Sequence, residues 1–158
     1  MNLSPDIYNL LLHIHSVGRW ILLILLMFAI FNHLIAGNRP FIRTDARAGL
    51  ILMIAADLML VIGIVLWFAG SWGYNLIELK GMSAVMKNPT LRFYAVEHLA
   101  GMLIAIILIH IGKTQATKAI GDKGKHRRSL LFYFLALIII LVSIPWPFRE
   151  IAQGRGWY

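Results

Sequence analysis

Four long apolar stretches, separated by short polar segments, dominate the hydrophobic pattern of this chain. Residues 20–38 and 129–148 contain no charged side chain, and the stretches 48–69 and 89–112 are interrupted only by isolated ionisable residues. About 20 apolar residues in an α-helix are enough to cross the hydrocarbon core of a bilayer. The pattern therefore predicts an all-α membrane protein, an up-down bundle of four transmembrane helices. The predicted spans are about 7–36, 48–69, 89–112 and 129–148, in one domain over residues 1–158.

Two of the predicted helices carry a recognisable start signal. Ser4-Pro5 precedes the first apolar stretch, and Asn88-Pro89 precedes the third. A short polar side chain caps the free N–H groups at a helix start, and proline suits the first helical position because it lacks an N–H. We therefore expect helices to begin at Pro5 and Pro89.

The composition argues against a soluble domain and excludes several kinds of site. Hydrophobic residues make up 59% of the chain and charged residues 14%, whereas soluble domains carry roughly 25% charged residues. The absence of cysteine excludes disulfides, thiolate metal sites and cysteine nucleophiles. A net charge of +8 would suit a nucleic-acid partner, but most of this charge lies in two short loops. Charge placed there orients a membrane protein, so no nucleic-acid partner is expected.

The basic residues of the two loops predict the orientation. Nine of the 15 lysines and arginines lie between the first and second spans or between the third and fourth: Arg39, Arg43, Arg47, Lys113, Lys118, Lys123, Lys125, Arg127 and Arg128. The positive-inside rule then places loops 37–47 and 113–128 in the cytoplasm, and both termini and Gly70–Asn88 outside. Within the outer loop, Tyr74–Lys87 is expected to lie along the interface. An aromatic belt is predicted at the outer surface from Trp67, Trp72, Tyr74, Phe93, Tyr94, Trp146 and Trp157.

Ionisable residues within or beside the spans are the candidates for function, because a charge in hydrocarbon is costly. They are His13, His15, Arg19, His33, Asp57, Arg92, Glu97, His98 and His110. His126 lies in the basic loop and is expected to be solvated.

His15 and His98 are the two histidines whose positions match. Each follows a predicted helix start by about ten residues, and both helices run from outside to inside, so both imidazoles should lie in the outer half of the bilayer. Gly18 and Gly101 follow them by three residues on the same helix face, which would leave room for a flat macrocycle. Arg19, one turn beyond His15, would neutralise a propionate. The pattern predicts bis-histidine ligation of haem b between the first and third spans.

The same residues also fit a purely structural role. A histidine in a membrane helix often only hydrogen-bonds to a neighbouring helix, and glycine is common in such helices. Arg19 would then form an ion pair with Glu97 or Asp57. The spacing by itself leaves both interpretations open.

His33 and His110 form a second candidate site on the cytoplasmic side. His33 follows His15 by five helical turns, about 27 Å along the same face. His110 follows His98 by about 18 Å and lies about 120° around the helix. Because the two inner histidines differ in depth and facing, an interfacial place for His33 beside Asn32 is favoured.

Asp57 lies near the middle of the second span. A carboxylate at that depth is protonated, is paired with Arg19 or an imidazole, or belongs to a proton path. We expect structural pairing by default, and the alternative is that Asp57 takes part in proton transfer. Glu97 is a candidate for the same two roles.

Three segments resemble a known family: His13–Trp20, Arg92–His98 and Ile144–Phe148, the last with the sequence Ile-Pro-Trp-Pro-Phe. They are similar to small bacterial four-helix membrane proteins described as cytochrome b-like, and the resemblance spans nearly the whole chain. It implies a haem protein of the bacterial inner (cytoplasmic) membrane, with His15, Arg19, Glu97 and His98 as the motif residues. The chain lacks the paired histidines on each of two helices that well-studied di-haem cytochromes b contain, which puts a second haem in doubt.

Three functions stay open at this point. The first is a b-type cytochrome that transfers electrons in the membrane, with quinone or another membrane subunit as its partner; it would be at most an electron-transfer subunit of an oxidoreductase. The second is a haem-free accessory or assembly subunit of a membrane complex. The third is a small metal or proton transporter that uses His15, His98 and Asp57. Assembly of several copies into a homo-oligomer stays open as well.

Overall fold

The computed structural model describes residues 3–152, and all regular structure within them is helical. In chain order the α-helices are α1 (Pro5–Leu34), α2 (Arg43–Ala69), α3 (Tyr74–Lys80), α4 (Met82–Lys87), α5 (Pro89–Arg92), α6 (His98–Thr114) and α7 (Asp122–Ser143). A π-helical turn, Phe93–Glu97, joins α5 to α6 and makes the third span continuous. Four helices are long and apolar enough to cross a membrane, which confirms the predicted all-α class with four spans. Trp157 and the C-terminus lie outside the described residues.

Both predicted helix starts are confirmed by their caps. The Ser4 hydroxyl accepts a hydrogen bond from the backbone N–H of Ile7, and the Asn88 side chain accepts one from Leu91. Each cap is followed by a proline in the first turn, as the sequence predicts.

The fourth helix differs from its predicted bounds of 129–148. It begins seven residues earlier, at Asp122, because a helix can continue through basic residues that stay in the aqueous layer. It ends at Ser143 because proline disfavours helical geometry in the residue before it. Ile144, which precedes Pro145, accordingly has ψ 132°. Helix α2 likewise begins at Arg43, so parts of both predicted loops are helical.

The packing order of the helices decides which side chains meet. Helix α1 packs against α2 and α7, and α6 packs against the same two helices. Helices α1 and α6 therefore stand at opposite corners of the bundle. The most deeply buried apolar core residues, contributed by all four spans, are Leu26, Ala29, Leu52, Ala56, Ala105, Ile109, Tyr133, Ala136, Ile140 and Ile144. The outer face is apolar, as a lipid-facing surface requires, with Ile24, Leu58 and Val142 at least 60% exposed.

The segment between the second and third spans consists of the short helices α3 and α4. Gly81 joins them with φ +78°, a conformation that residues with a side chain rarely adopt. Leu76 and Val85 pack against Ala95 in a small separate core, so the two short helices fold back on the start of the third span.

Candidate functional site

His15 and His98 approach each other across the bundle from the diagonal helices α1 and α6. Their ring centroids are 6.3 Å apart, and their planes are inclined by 70°. Two imidazoles on opposite sides of one metal ion have ring centres about 6 Å apart. On each side of the metal, the metal–nitrogen bond is about 2 Å long and the ring centre lies roughly 1 Å beyond the nitrogen. The two sides together give this distance. The two histidines that the sequence places at matching depth thus lie together, and their spacing suits two ligands of one metal ion.

The backbone of α7 fixes the tautomer of His98. The Nδ1 atom of His98 lies 2.7 Å from the carbonyl oxygen of Ser143. Because a carbonyl can only accept, Nδ1 is the protonated nitrogen and Nε2 carries the lone pair. A backbone partner of this kind holds a metal-binding histidine in its ligating tautomer and orientation.

The Ser143 carbonyl can accept a hydrogen bond from His98 because prolines follow it in the chain. In a continuing helix this oxygen would accept from the N–H of the residue four positions later, which is Pro147 and has no N–H. The chain leaves the helix at Ile144. The Pro-Trp-Pro sequence therefore explains both the end of α7 and the orientation of His98.

A π-helical turn places His98 at the start of α6. The His98 N–H donates to the Phe93 carbonyl, one residue further back than in an α-helix. The indole N–H of Trp67 donates to the Ala95 carbonyl within the same turn, at 2.9 Å. Turns of this kind occur often at functional sites, because they shift a side chain relative to the regular helix. The hydrophobic pattern contains no signal for this turn.

Gly63 of α2 makes the room for the His15 ring. A Cβ atom at position 63 would lie 3.2 Å from Cε1 of His15, tighter than an ordinary contact. The Nδ1 atom of His15 is buried and has no hydrogen-bond partner among the described residues. A buried imidazole nitrogen without a partner is costly in an apolar bundle. The sequence alone contains no signal that singles out Gly63, since its helix carries no histidine.

Gly18 and Gly101 have a different role from the predicted one. A Cβ at position 18 would collide with the sulfur of Met59, and one at position 101 would collide with the Ser143 hydroxyl. The space beside each glycine is filled by a side chain of the neighbouring helix, because small residues let membrane helices approach closely. Arg19 lies next to the site as predicted, close enough to interact electrostatically with His15 and His98. Its guanidinium is 5.2 Å from the Trp20 ring centre.

No family model, curated protein or solved structure matches this chain. The function must therefore be inferred from the geometry of the site and from the chemistry of its residues.

His33 forms a second buried cluster with a partner that the sequence analysis missed. Its Nδ1 lies 2.9 Å from Nδ1 of His126, and both residues are at most 5% exposed. Phe41 stacks on His33, and Tyr133 packs beside it at 5.7 Å. The expectation that His126 is solvated is wrong, because α7 begins at Asp122 and turns His126 into the bundle. A heptad-like spacing of buried positions was the available signal: His126, Ser129, Tyr133, Ala136, Ile140 and Ser143.

His110 pairs with Asp57 and not with His33. Its Nε2 lies 2.7 Å from the Asp57 carboxylate, which confirms imidazole pairing among the alternatives for Asp57. Both side chains are more than 40% exposed on the outer face of the bundle. Glu97 pairs with Arg92 at 2.5 Å, a partner that the sequence alone does not single out.

A partly buried ion pair closes one end of the bundle. This end, which holds the 35–42 and 118–121 loops, is called the basic end below. The Arg39 guanidinium donates to both carboxylate oxygens of Asp45, each at 2.7 Å, and these hydrogen bonds raise the pKa of Arg39. The Asn32 amide and the Ile42 N–H also donate to Asp45, whose side chain is 1% exposed. In the sequence alone, Arg39 stands out only as a basic residue of a loop.

Proposed function

We propose that the protein is a membrane b-type cytochrome that binds one haem between α1 and α6 and takes part in electron transfer. The observation that carries this proposal is the approach of His15 and His98 across the bundle, with their ring centroids 6.3 Å apart. Bound haem supplies a reversible one-electron couple, and two neutral imidazoles are a common ligand pair for it.

The residues around the two imidazoles fit this group. His98 is held in the ligating tautomer by Ser143, and the buried Nδ1 of His15 lacks a partner within residues 3–152. Met59 fills the gap at Gly18 with the end of a flexible side chain, which can move aside at little cost. Arg19 is the cation beside the site that would hold a propionate. The electron partner of such a cytochrome would be quinone or another membrane subunit.

Purification after expression with ample haem tests the proposal. The protein should be red, should give a reduced-minus-oxidised spectrum of a low-spin b-type cytochrome, and should contain one haem per chain by the pyridine haemochrome assay. A colourless protein that gives no haemochrome would remove the cytochrome proposal.

We also propose that the protein lies in a bacterial inner membrane with its basic end in the cytoplasm. Cysteines introduced at Arg43 and Lys123 should be protected from an impermeant maleimide in intact cells, and one at Asn75 should react. Reaction of all three after permeabilisation is the control for accessibility. Labelling of Lys123→Cys in intact cells would contradict this orientation.

A haem-free accessory subunit is the second candidate, and one observation favours it. The Asp57–His110 pair is more than 40% exposed on a face that would otherwise meet lipid tails. A polar pair in hydrocarbon is costly, so a helix of another subunit that covers it would stabilise the complex. This candidate predicts a larger complex in mild detergent that Asp57→Leu dissociates, with no haem in the native protein.

Asp57→Asn tests how much the pair stabilises the isolated chain. We expect the free energy of unfolding in detergent to fall by about 1 kcal/mol, the usual size of a side-chain hydrogen bond between transmembrane helices. The haem spectrum should persist, because His110 lies about 18 Å along the helix axis from His98. Asp122→Asn, which removes another half-exposed carboxylate, is the control. Loss of the spectrum in Asp57→Asn would place Asp57 in the haem site.

A further inference from the structure

A cavity at the basic end opens between the C-terminal part of α6 and the first turns of α7. Its volume is about 490 Å³. Lys118 and Arg128 both line it, one after the end of α6 and the other near the start of α7. Of the described residues that line this cavity, none is acidic, so it carries two positive charges.

The lining changes from cationic to apolar along both helices. Arg128 is followed one turn deeper by Leu131 and Phe132, and Lys118 is preceded by Thr114 and then Ile111. Leu131 is 53% exposed, so this wall of the cavity is continuous with the lipid-facing surface. The cavity thus has a cationic mouth at the aqueous boundary and an apolar floor toward the bilayer.

We propose that this cavity binds an anionic phospholipid. The phosphate would lie between Lys118 and Arg128, since arginine in particular forms paired hydrogen bonds to phosphate oxygens. One acyl chain would lie along Ile111, Leu131 and Phe132. Basic pockets between transmembrane helices are suited to lipid headgroups, and the apolar floor distinguishes this cavity from a site for a free anion. The proposal does not depend on haem binding.

The test is native mass spectrometry and thermal unfolding of the full chain in a neutral detergent, with phosphatidylglycerol or phosphatidylcholine added. Phosphatidylglycerol should be retained on the protein and should raise its melting temperature. Phosphatidylcholine should be retained less and should raise the melting temperature less. Arg128→Ala should weaken retention of phosphatidylglycerol by about fivefold or more. This factor corresponds to the roughly 1 kcal/mol that one basic residue contributes to binding at an anionic membrane surface. Arg128→Lys should keep most of the effect because it keeps the charge.

Arg127→Ala is the matched control. Arg127 is the preceding residue on the same helix, is also exposed, and does not line the cavity. Equal losses in Arg127→Ala and Arg128→Ala, or equal retention of the two lipids, would overturn the proposal. Displacement of the lipid by excess inorganic phosphate would overturn it as well, since the site would then bind a soluble anion. If Arg128→Ala does not fold, Lys118→Ala makes the same comparison, because Lys118 lies outside the helices.

Discussion

Replacing either His15 or His98 with alanine should remove the reducible haem absorbance from the purified protein. A low-spin iron with two imidazole ligands needs both, and a single remaining ligand would hold haem poorly in detergent. The effect should be equal for the two variants because each of two opposite helices contributes one imidazole, and the two ring centroids lie 6.3 Å apart. The measurement is the Soret absorbance per chain, with the melting temperature to verify folding.

His13→Ala is the matched control for this prediction. His13 is two residues from His15, points about 200° around the helix, and is exposed on the outer face. His33→Ala and His110→Ala should also keep most of the absorbance, because these imidazoles have other partners. If His13→Ala abolishes the spectrum and His15→Ala does not, the ligand lies on the other face of α1. A chain that binds no haem in its native form would make the whole series uninformative and would already have contradicted the proposed function.

Replacing Arg39 with methionine should lower the free energy of unfolding by about 3 kcal/mol, the low end for breaking a buried ion pair. The Asp45 carboxylate is almost fully buried and would lose both hydrogen bonds from the guanidinium. Arg39 itself is one third exposed, which places the loss at the low end. The measurement is equilibrium unfolding in mixed micelles, and the proposed haem site at the other end of α1 should be unaffected.

The control is Arg43→Met, in an exposed residue of the same basic segment. It should change stability by less than about 0.5 kcal/mol, as surface substitutions usually do. Arg39→Met combined with Asp45→Leu should recover part of the loss, because no unpaired buried charge remains. Equal effects of Arg39→Met and Arg43→Met would contradict a structural role for the ion pair.

The sequence by itself determined the membrane class, the four spans and two helix starts. These features depend on local properties: the transfer free energy of consecutive side chains, and the hydrogen bonds of a cap within one turn. The depth of a residue follows from its distance along a helix, so the matched depth of His15 and His98 could be predicted from two start signals. Composition was a poorer guide to helix ends, because a helix continues beyond the bilayer where polar residues allow it, as α7 does from Asp122.

Only the tertiary structure decided the partners of the other polar groups. Which face of a helix meets which neighbour depends on how all four helices rotate to bury their small residues and fill the core, and one sequence does not encode that rotation locally. A buried polar group then takes the nearest partner that packing provides. This is why His33 meets His126, His110 meets Asp57, and a backbone carbonyl freed by Pro147 orients His98.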